Sequence, residues 1–267
     1  MPYTEVLKHG PLTLEEIEAG VGLVTMNRPE TLNAINFAVV EAFESLFRAL
    51  EDNESIRVVI LTGAGRGFCA GADLIQVAEN SNNDSFRSSE NHLRLVQKRH
   101  SNLCSGLRRM PQPVIAAVNG VAAGGGFALA LASDVRIAAS EAFFVASFIN
   151  IGLSGGEMGS SYFLPRMVGM TRASEILLTG RRVPAHEAER IGLVNRVVPQ
   201  EELISEALST ARAMLEKSPG GLRLTKRVLD YNATAVSFEA ALELEDRNQT
   251  IMVTSHDFLK RVSEFTT

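Results

Sequence analysis

Two glycine-rich turns, each directly after a short apolar run, constrain this chain more than any other feature. Gly63-Ala64-Gly65-Arg66-Gly67-Phe68-Cys69-Ala70-Gly71-Ala72-Asp73-Leu74 follows Val58-Val59-Ile60-Leu61. Asn119-Gly120-Val121-Ala122-Ala123-Gly124-Gly125-Gly126-Phe127 follows Pro113-Val114-Ile115-Ala116-Ala117-Val118. Each segment reads as a buried strand, a turn of small residues and the start of an apolar helix. Such a turn leaves backbone N–H groups free at a helix N-terminus and lets another molecule approach them. Two such turns on neighbouring strands can aim two N–H groups at one oxygen, which is the layout of an oxyanion hole.

The flanking sequence repeats the pattern. Residues 21–26 read as a strand closed by Arg28-Pro29. From Asn36, Phe37, Val40, Phe43, Phe47 and Leu50 recur at helical spacing. Residues 79–91 are polar and read as a mobile loop. A helix then runs toward Arg109 and stops before Pro111 and Pro113. Residues 127–132 predict a buried helix, and 135–138 and 143–145 short strands. Together these units predict an α/β fold with parallel strands. From Glu201 only helical patterns remain, so a boundary is expected near residue 200, between a core of 1–199 and a helical region of 200–267.

Composition narrows the partners. A chain of 267 residues can bury a sizeable core, and a net charge of −5 argues against nucleic acid or an anionic membrane as main partner. Met1-Pro2-Tyr3-Thr4-Glu5 has none of the regions of a secretory leader, and no apolar stretch is long enough to span a bilayer. A cytoplasmic location is therefore expected. Cys69 and Cys104 are too few for a disulfide framework or a metal site.

Neither turn is a nucleotide motif. Phe68 stands where a dinucleotide fingerprint needs glycine, and Gly124-Gly125-Gly126 lacks the Gly-Lys-Ser/Thr ending of a P-loop. With their surroundings, however, the two segments resemble the crotonase superfamily, the enoyl-CoA hydratase/isomerase family. The resemblance continues in Asn27-Arg28-Pro29, Leu32-Asn33-Ala34-Ile35, Leu178-Thr179-Gly180, Ala185-His186-Glu187-Ala188 and Gly192-Leu193-Val194-Asn195-Arg196-Val197-Val198. It covers nearly the whole chain.

The resemblance implies a ClpP-like spiral of ββα repeats with a helical C-terminal region, and homotrimers that often pair into hexamers. It implies an acyl-CoA thioester as ligand, with no cofactor beyond the coenzyme A of the substrate. By motif position the two oxyanion donors are the N–H groups of Ala72 and Gly125. Ala34, Ala70, Leu74 and Val121 would line the CoA and pantetheine path, with Asp73 and Gly124 in the same turns. Asp73 also reads as the cap of the next helix. Phe258 and Lys260 would complete a neighbouring subunit's CoA site. The basic pairs Arg108-Arg109, Arg181-Arg182 and Lys226-Arg227 are candidates for CoA phosphates, against the ordinary reading of solvated charge.

One part of the resemblance fails. The two glutamates that flank a water in the family's hydratases fall here on Ala128 and Phe148. Water addition needs a base for water and an acid for the α-carbon, and neither residue supplies one. Glu157 is the carboxylate that remains nearby. Some relatives, dienoyl-CoA isomerases and a dehalogenase among them, look similar in carrying an active-site aspartate in this turn, although a glutamate before a helix is also an ordinary dipole residue. As a single base it would suit a double-bond isomerase, with Phe148 an apolar wall beside the acyl group. A binder that kept the hole and lost the base is the alternative from another class. Gly152-Leu153-Ser154-Gly155-Gly156 also matches a nucleophile elbow after 148–151 read as a strand, which makes Ser154 a remote hydrolase candidate with His186 or His256. His92 and His100 read as solvent-exposed on one helix.

Overall fold

The computed structural model describes residues 9–80 and 88–265. Two sheets are threaded together. The larger, of six strands, runs β1 (Leu12–Glu18), β2 (Val21–Met26), β3 (Val58–Gly63), β5 (Val114–Val118), β7 (Val135–Ala139) and β10 (Arg196–Val198). The smaller, of four strands, runs β4 (Gly67–Cys69), β6 (Val121–Ala123), β8 (Phe143–Val145) and β9 (Arg182–Pro184). Every residue of β3 and β5 is buried, the signature of parallel strands covered on both faces. β3, β5 and β7 pair in parallel, and so do β4, β6 and β8.

Each glycine turn is where the chain leaves the large sheet for the small one, and a helix follows. After β4 comes α2 (Leu74–Asn80), and after β6 comes α5 (Gly125–Ala132). The strands expected from the sequence pair in parallel, and two further strands are antiparallel: β1 against β2, and β9 against β8. A two-residue turn at Ala19-Gly20 joins β1 to β2, too short for a parallel crossover.

α1 (Phe37–Glu51) is capped by the Asn36 side chain, which accepts from Val39 N–H at 3.0 Å. The polar stretch 79–91 is not one loop. Glu79 lies in α2 and Ser89 opens α3 (Ser89–His92), while residues 81–87 lie outside the described ones. α3 passes through a π-helical turn, Leu93–Gln97, into α4 (Lys98–Arg109). α6 (Ser160–Val168), α7 (Met170–Thr179) and α8 (Ala185–Arg190) connect the later strands.

All eight residues of α5 are buried, and both of its ends are specified. Its N-terminus faces the first glycine turn. At its C-terminus the buried Arg136 guanidinium donates to the Ser133 carbonyl at 2.6 Å, with Ala130 and Leu131 carbonyls close by. A cation there suits the helix dipole, although burial lowers the Arg136 pKa to about 10.

Beyond β10 the described residues are helical: α9 (Leu203–Leu215), α10 (Pro219–Asn232), α11 (Phe238–Val253) and α12 (His256–Phe265). α9 shares the main core through Leu203, Ala207 and Ala211. α10 is held by charge. Lys226, only 4% exposed, donates to the Leu107 and Gln112 carbonyls and pairs with Asp134 at 3.0 Å. Arg108 bridges Asp134 and Asp230 at 2.8 and 2.6 Å. α11 and α12 leave apolar residues outside, among them Phe238 at 71% exposure. Among the described residues, no helix is long and apolar enough to cross a membrane, and no cluster of His, Cys, Asp or Glu is arranged to hold a metal.

Candidate active site

Two buried asparagines build the first turn. Asn33 donates to the carbonyls of Ala64 and Gly67 at 3.0 and 2.8 Å while its Oδ1 accepts from Arg28 N–H. Asn119, from the second turn, donates to Gly65 and Gly67 carbonyls and accepts from Gly63 N–H. Carbonyls that a tight turn would strand in the interior are thus satisfied, and the two turns are tied together. This explains the asparagines in Leu-Asn-Ala-Ile and Val-Asn-Gly.

The turns touch at Gly71. Its φ is +94°, and a Cβ placed on it would lie 2.8 Å from the Ala123 carbonyl oxygen and 3.2 Å from the Gly125 nitrogen. Only glycine permits that approach. The next residue, Ala72, bridges to Ile35 through its neighbours: Ile35 N–H donates to the Gly71 carbonyl and Asp73 N–H to the Ile35 carbonyl. The N–H of Ala72 itself takes no part in that pairing. Gly125 opens α5, where no preceding turn can accept its N–H. Among the described residues neither N–H donates a hydrogen bond.

Both lie on a cleft of about 290 Å³. It brings together seven of the sequence-predicted residues: Ala70, Ala72, Leu74, Gly124, Gly125, Phe148 and Glu157. Glu157 is the one carboxylate lining it among the described residues. It stands ahead of α6 rather than inside it: its N–H donates to Ser160 Oγ at 3.0 Å, and Gln97 Nε2 donates to its Oε1 at 2.9 Å. Phe148 is nearly buried and supplies an apolar wall, whereas Ala128 is sealed in the core and does not reach the cleft.

Other predicted residues stand elsewhere. Ala34 and Asp73 are buried and do not line the cleft. Asp73 caps α2 weakly, accepting from Gln76 N–H at 3.4 Å, and pairs with Arg28 at 2.9 Å. Val121 lines an adjoining groove of about 620 Å³, which shares Ala123 and Ser147 with the cleft. Phe258 and Lys260 are exposed on α12 and do not line the cleft of their own chain. Of the basic pairs, Arg108 and Lys226 belong to the buried network and Arg181 is bound by Glu175 and Glu187. Arg182 lies over the Phe143 ring and, with Arg66, lines the groove.

Two expectations are corrected. Residues 149–151 form a 3-10 turn rather than a strand, so the nucleophile elbow is not built. Ser154 is exposed, its Oγ accepts from Gly156 N–H, and no histidine nitrogen bonds to it among the described residues. His100 is half-buried and lines the cleft, on the helix that follows the π-helical turn, rather than facing solvent. Sequence reasoning also missed Gln97, and a π-turn leaves no periodicity signal by which to find it. Cys69 is no nucleophile, since burial pushes its thiol up to about 12.

The chain matches the model of the enoyl-CoA hydratase/isomerase family over residues 16–266. It belongs to that family. It is 44% identical to the probable enoyl-CoA hydratase EchA12 of Mycobacterium tuberculosis over 229 residues, covering 86% of this chain and 80% of the relative. It is 36% identical to the 1,2-epoxyphenylacetyl-CoA isomerase of Escherichia coli, covering 94% of each. Among solved structures, a monofunctional enoyl-CoA isomerase from M. smegmatis superposes with a TM-score of 0.74 at 44% identity, covering 88% of this chain and 99% of that one. The fold is therefore that of the enoyl-CoA hydratase/isomerase family, whose enzymes act in acyl-CoA metabolism. Names among the relatives divide between hydratase and isomerase, so the reaction must be argued from the side chains.

Proposed function

We propose that this enzyme binds an enoyl-CoA thioester with its carbonyl oxygen between the N–H groups of Ala72 and Gly125, and uses Glu157 to shift the double bond. The observation that carries this reading is the meeting of those two unused donors with a single carboxylate in one cleft. Preorganised donors, one in the first glycine turn and one at the α5 N-terminus, would stabilise charge that develops on the oxygen. The Glu157 carboxylate takes a proton from C2 of a 3-enoyl group, and the electrons spread onto the thioester oxygen as a dienolate. The same carboxyl returns the proton at C4, leaving the double bond between C2 and C3 and the base regenerated. Ala128 and Phe148, at the places of the family's hydratase glutamates, offer no second carboxylate.

Coenzyme A would extend from the cleft along Ala70, Leu74 and Val121 into the adjoining groove, where Arg66 and Arg182 can meet its phosphates. The apolar residues left outside on α11 and α12 support a homotrimer or hexamer, which would carry Phe258 and Lys260 to a neighbour's cleft.

Purified enzyme given a 3-enoyl-CoA should generate the absorbance of the conjugated thioester. No such absorbance and no hydration of crotonyl-CoA, with acyl-CoA still raising Tm, would instead leave a non-catalytic binder. Gln97 has a smaller, separable part. Gln97→Leu removes one hydrogen bond to Glu157 and should lower kcat about tenfold, the equivalent of about 1.4 kcal/mol, with KM within threefold.

A further inference from the structure

The cleft holds a second group able to carry a proton. His100 lines it beside Glu157, and its Nδ1 lies 2.9 Å from the Val96 carbonyl oxygen. A carbonyl oxygen only accepts, so Nδ1 carries the hydrogen and the neutral ring has a bare Nε2. Among the described residues Nε2 has no hydrogen-bond partner. Gln97 sits three residues earlier, on the same helical face, and its amide reaches Glu157 Oε1. The face that carries His100 is thus the face turned toward the carboxylate. The π-helical turn Leu93–Gln97 directly precedes the helix that carries His100, and such turns recur at functional sites. Gln97 engages Glu157 Oε1 and Val96 engages His100 Nδ1, so the hydrogen bonds given leave Glu157 Oε2 and His100 Nε2 unengaged among the described residues.

We propose that His100 is a second proton-transfer residue of this cleft, acting as base toward water while Glu157 serves the α-carbon. The pair does the work for which residues 128 and 148 carry no side-chain group. Water bonds through its oxygen to C3 of a 2-enoyl thioester, and its proton passes to His100 Nε2. The C2–C3 π electrons move to form the enolate held at Ala72 and Gly125. C2 then takes a proton from the Glu157 carboxylic acid. His100 loses its proton to solvent and Glu157 regains one, so the net change is addition of one water to give a 3-hydroxyacyl thioester. This rests on the reading of Glu157 and the two N–H donors given above.

The test compares hydration of crotonyl-CoA with isomerisation of a 3-enoyl-CoA in the full chain, His100→Asn and Glu157→Gln. Asn keeps a donor for the Val96 carbonyl but lacks the acceptor at Nε2. The expected result is measurable hydration by the unmodified chain, falling about 10²-fold or more relative to isomerisation in His100→Asn. Both reactions should be lost in Glu157→Gln. Isomerisation without hydration, or an unchanged ratio in His100→Asn, overturns the role of His100 and leaves the isomerase reading intact. Hydration that depends on His100, with no isomerisation, overturns the isomerase reading and keeps His100. Neither reaction overturns both.

Discussion

Glu157→Gln is expected to lower kcat for double-bond migration by about 10²–10⁴-fold, with KM changed no more than about threefold. The substitution is nearly isosteric. The new amide oxygen can still accept from Gln97 Nε2, so the turn before α6 should keep its shape. The N–H groups of Ala72 and Gly125 are untouched, so the thioester should still bind. What disappears is the carboxylate proposed to take a proton from C2 and return it at C4. Steady-state rates on a 3-enoyl-CoA, with acyl-CoA binding measured separately, check both halves. A kcat within tenfold of the unmodified enzyme would place the base elsewhere.

Asp134→Ala is expected to produce the largest loss of stability, about 3 kcal/mol, seen as a fall in Tm of roughly 10 °C. Asp134 meets Lys226, Arg108 and Val114 N–H at 3.0, 2.8 and 2.8 Å. Without it the Lys226 ammonium stays buried with two carbonyls but no adjacent carboxylate, and Val114 N–H loses its acceptor. Burial already lowers the Lys226 pKa, which shows how little the interior favours that charge. Arg108 retains Asp230 and should be less affected. Lys226→Met added to Asp134→Ala should recover part of the loss, because it removes the stranded cation. If the double variant is no more stable than Asp134→Ala alone, the buried charge is not the source.

The turns that carry the two proposed oxyanion donors were legible because their geometry is set by backbone. Glycine and alanine at 71, 72, 124 and 125 are there to clear space, and the turn chemistry that demands them shows directly in sequence. Glu157 was legible as a carboxylate in the right turn, though its hydrogen bond to Gln97 joins positions 60 residues apart. Gln97 and His100 were not legible, because the π-helical turn at Leu93–Gln97 interrupts the regular spacing from which a helix face is read. Ser154 failed for the opposite reason. A five-residue pattern matched, but the elbow needs a strand before the serine, and 149–151 form a 3-10 turn. Phe258 and Lys260 lie on α12, away from the cleft of their own chain, and sequence alone cannot tell which copy such a helix serves.

Both proposed donors to the thioester are main-chain groups, supplied by the meeting of Gly71 with the start of α5. Replacing the side chain at Ala72 with any non-proline residue does not delete its N–H. The groups that would act on carbon or water are side chains on separate segments: 157 before α6, 100 on α4, and 128 and 148 elsewhere. Each can change by a single codon without dismantling the grip on the thioester. The architecture thus separates what must be inherited from what is free to vary, so new reactions can arise on it while the substrate handle is kept.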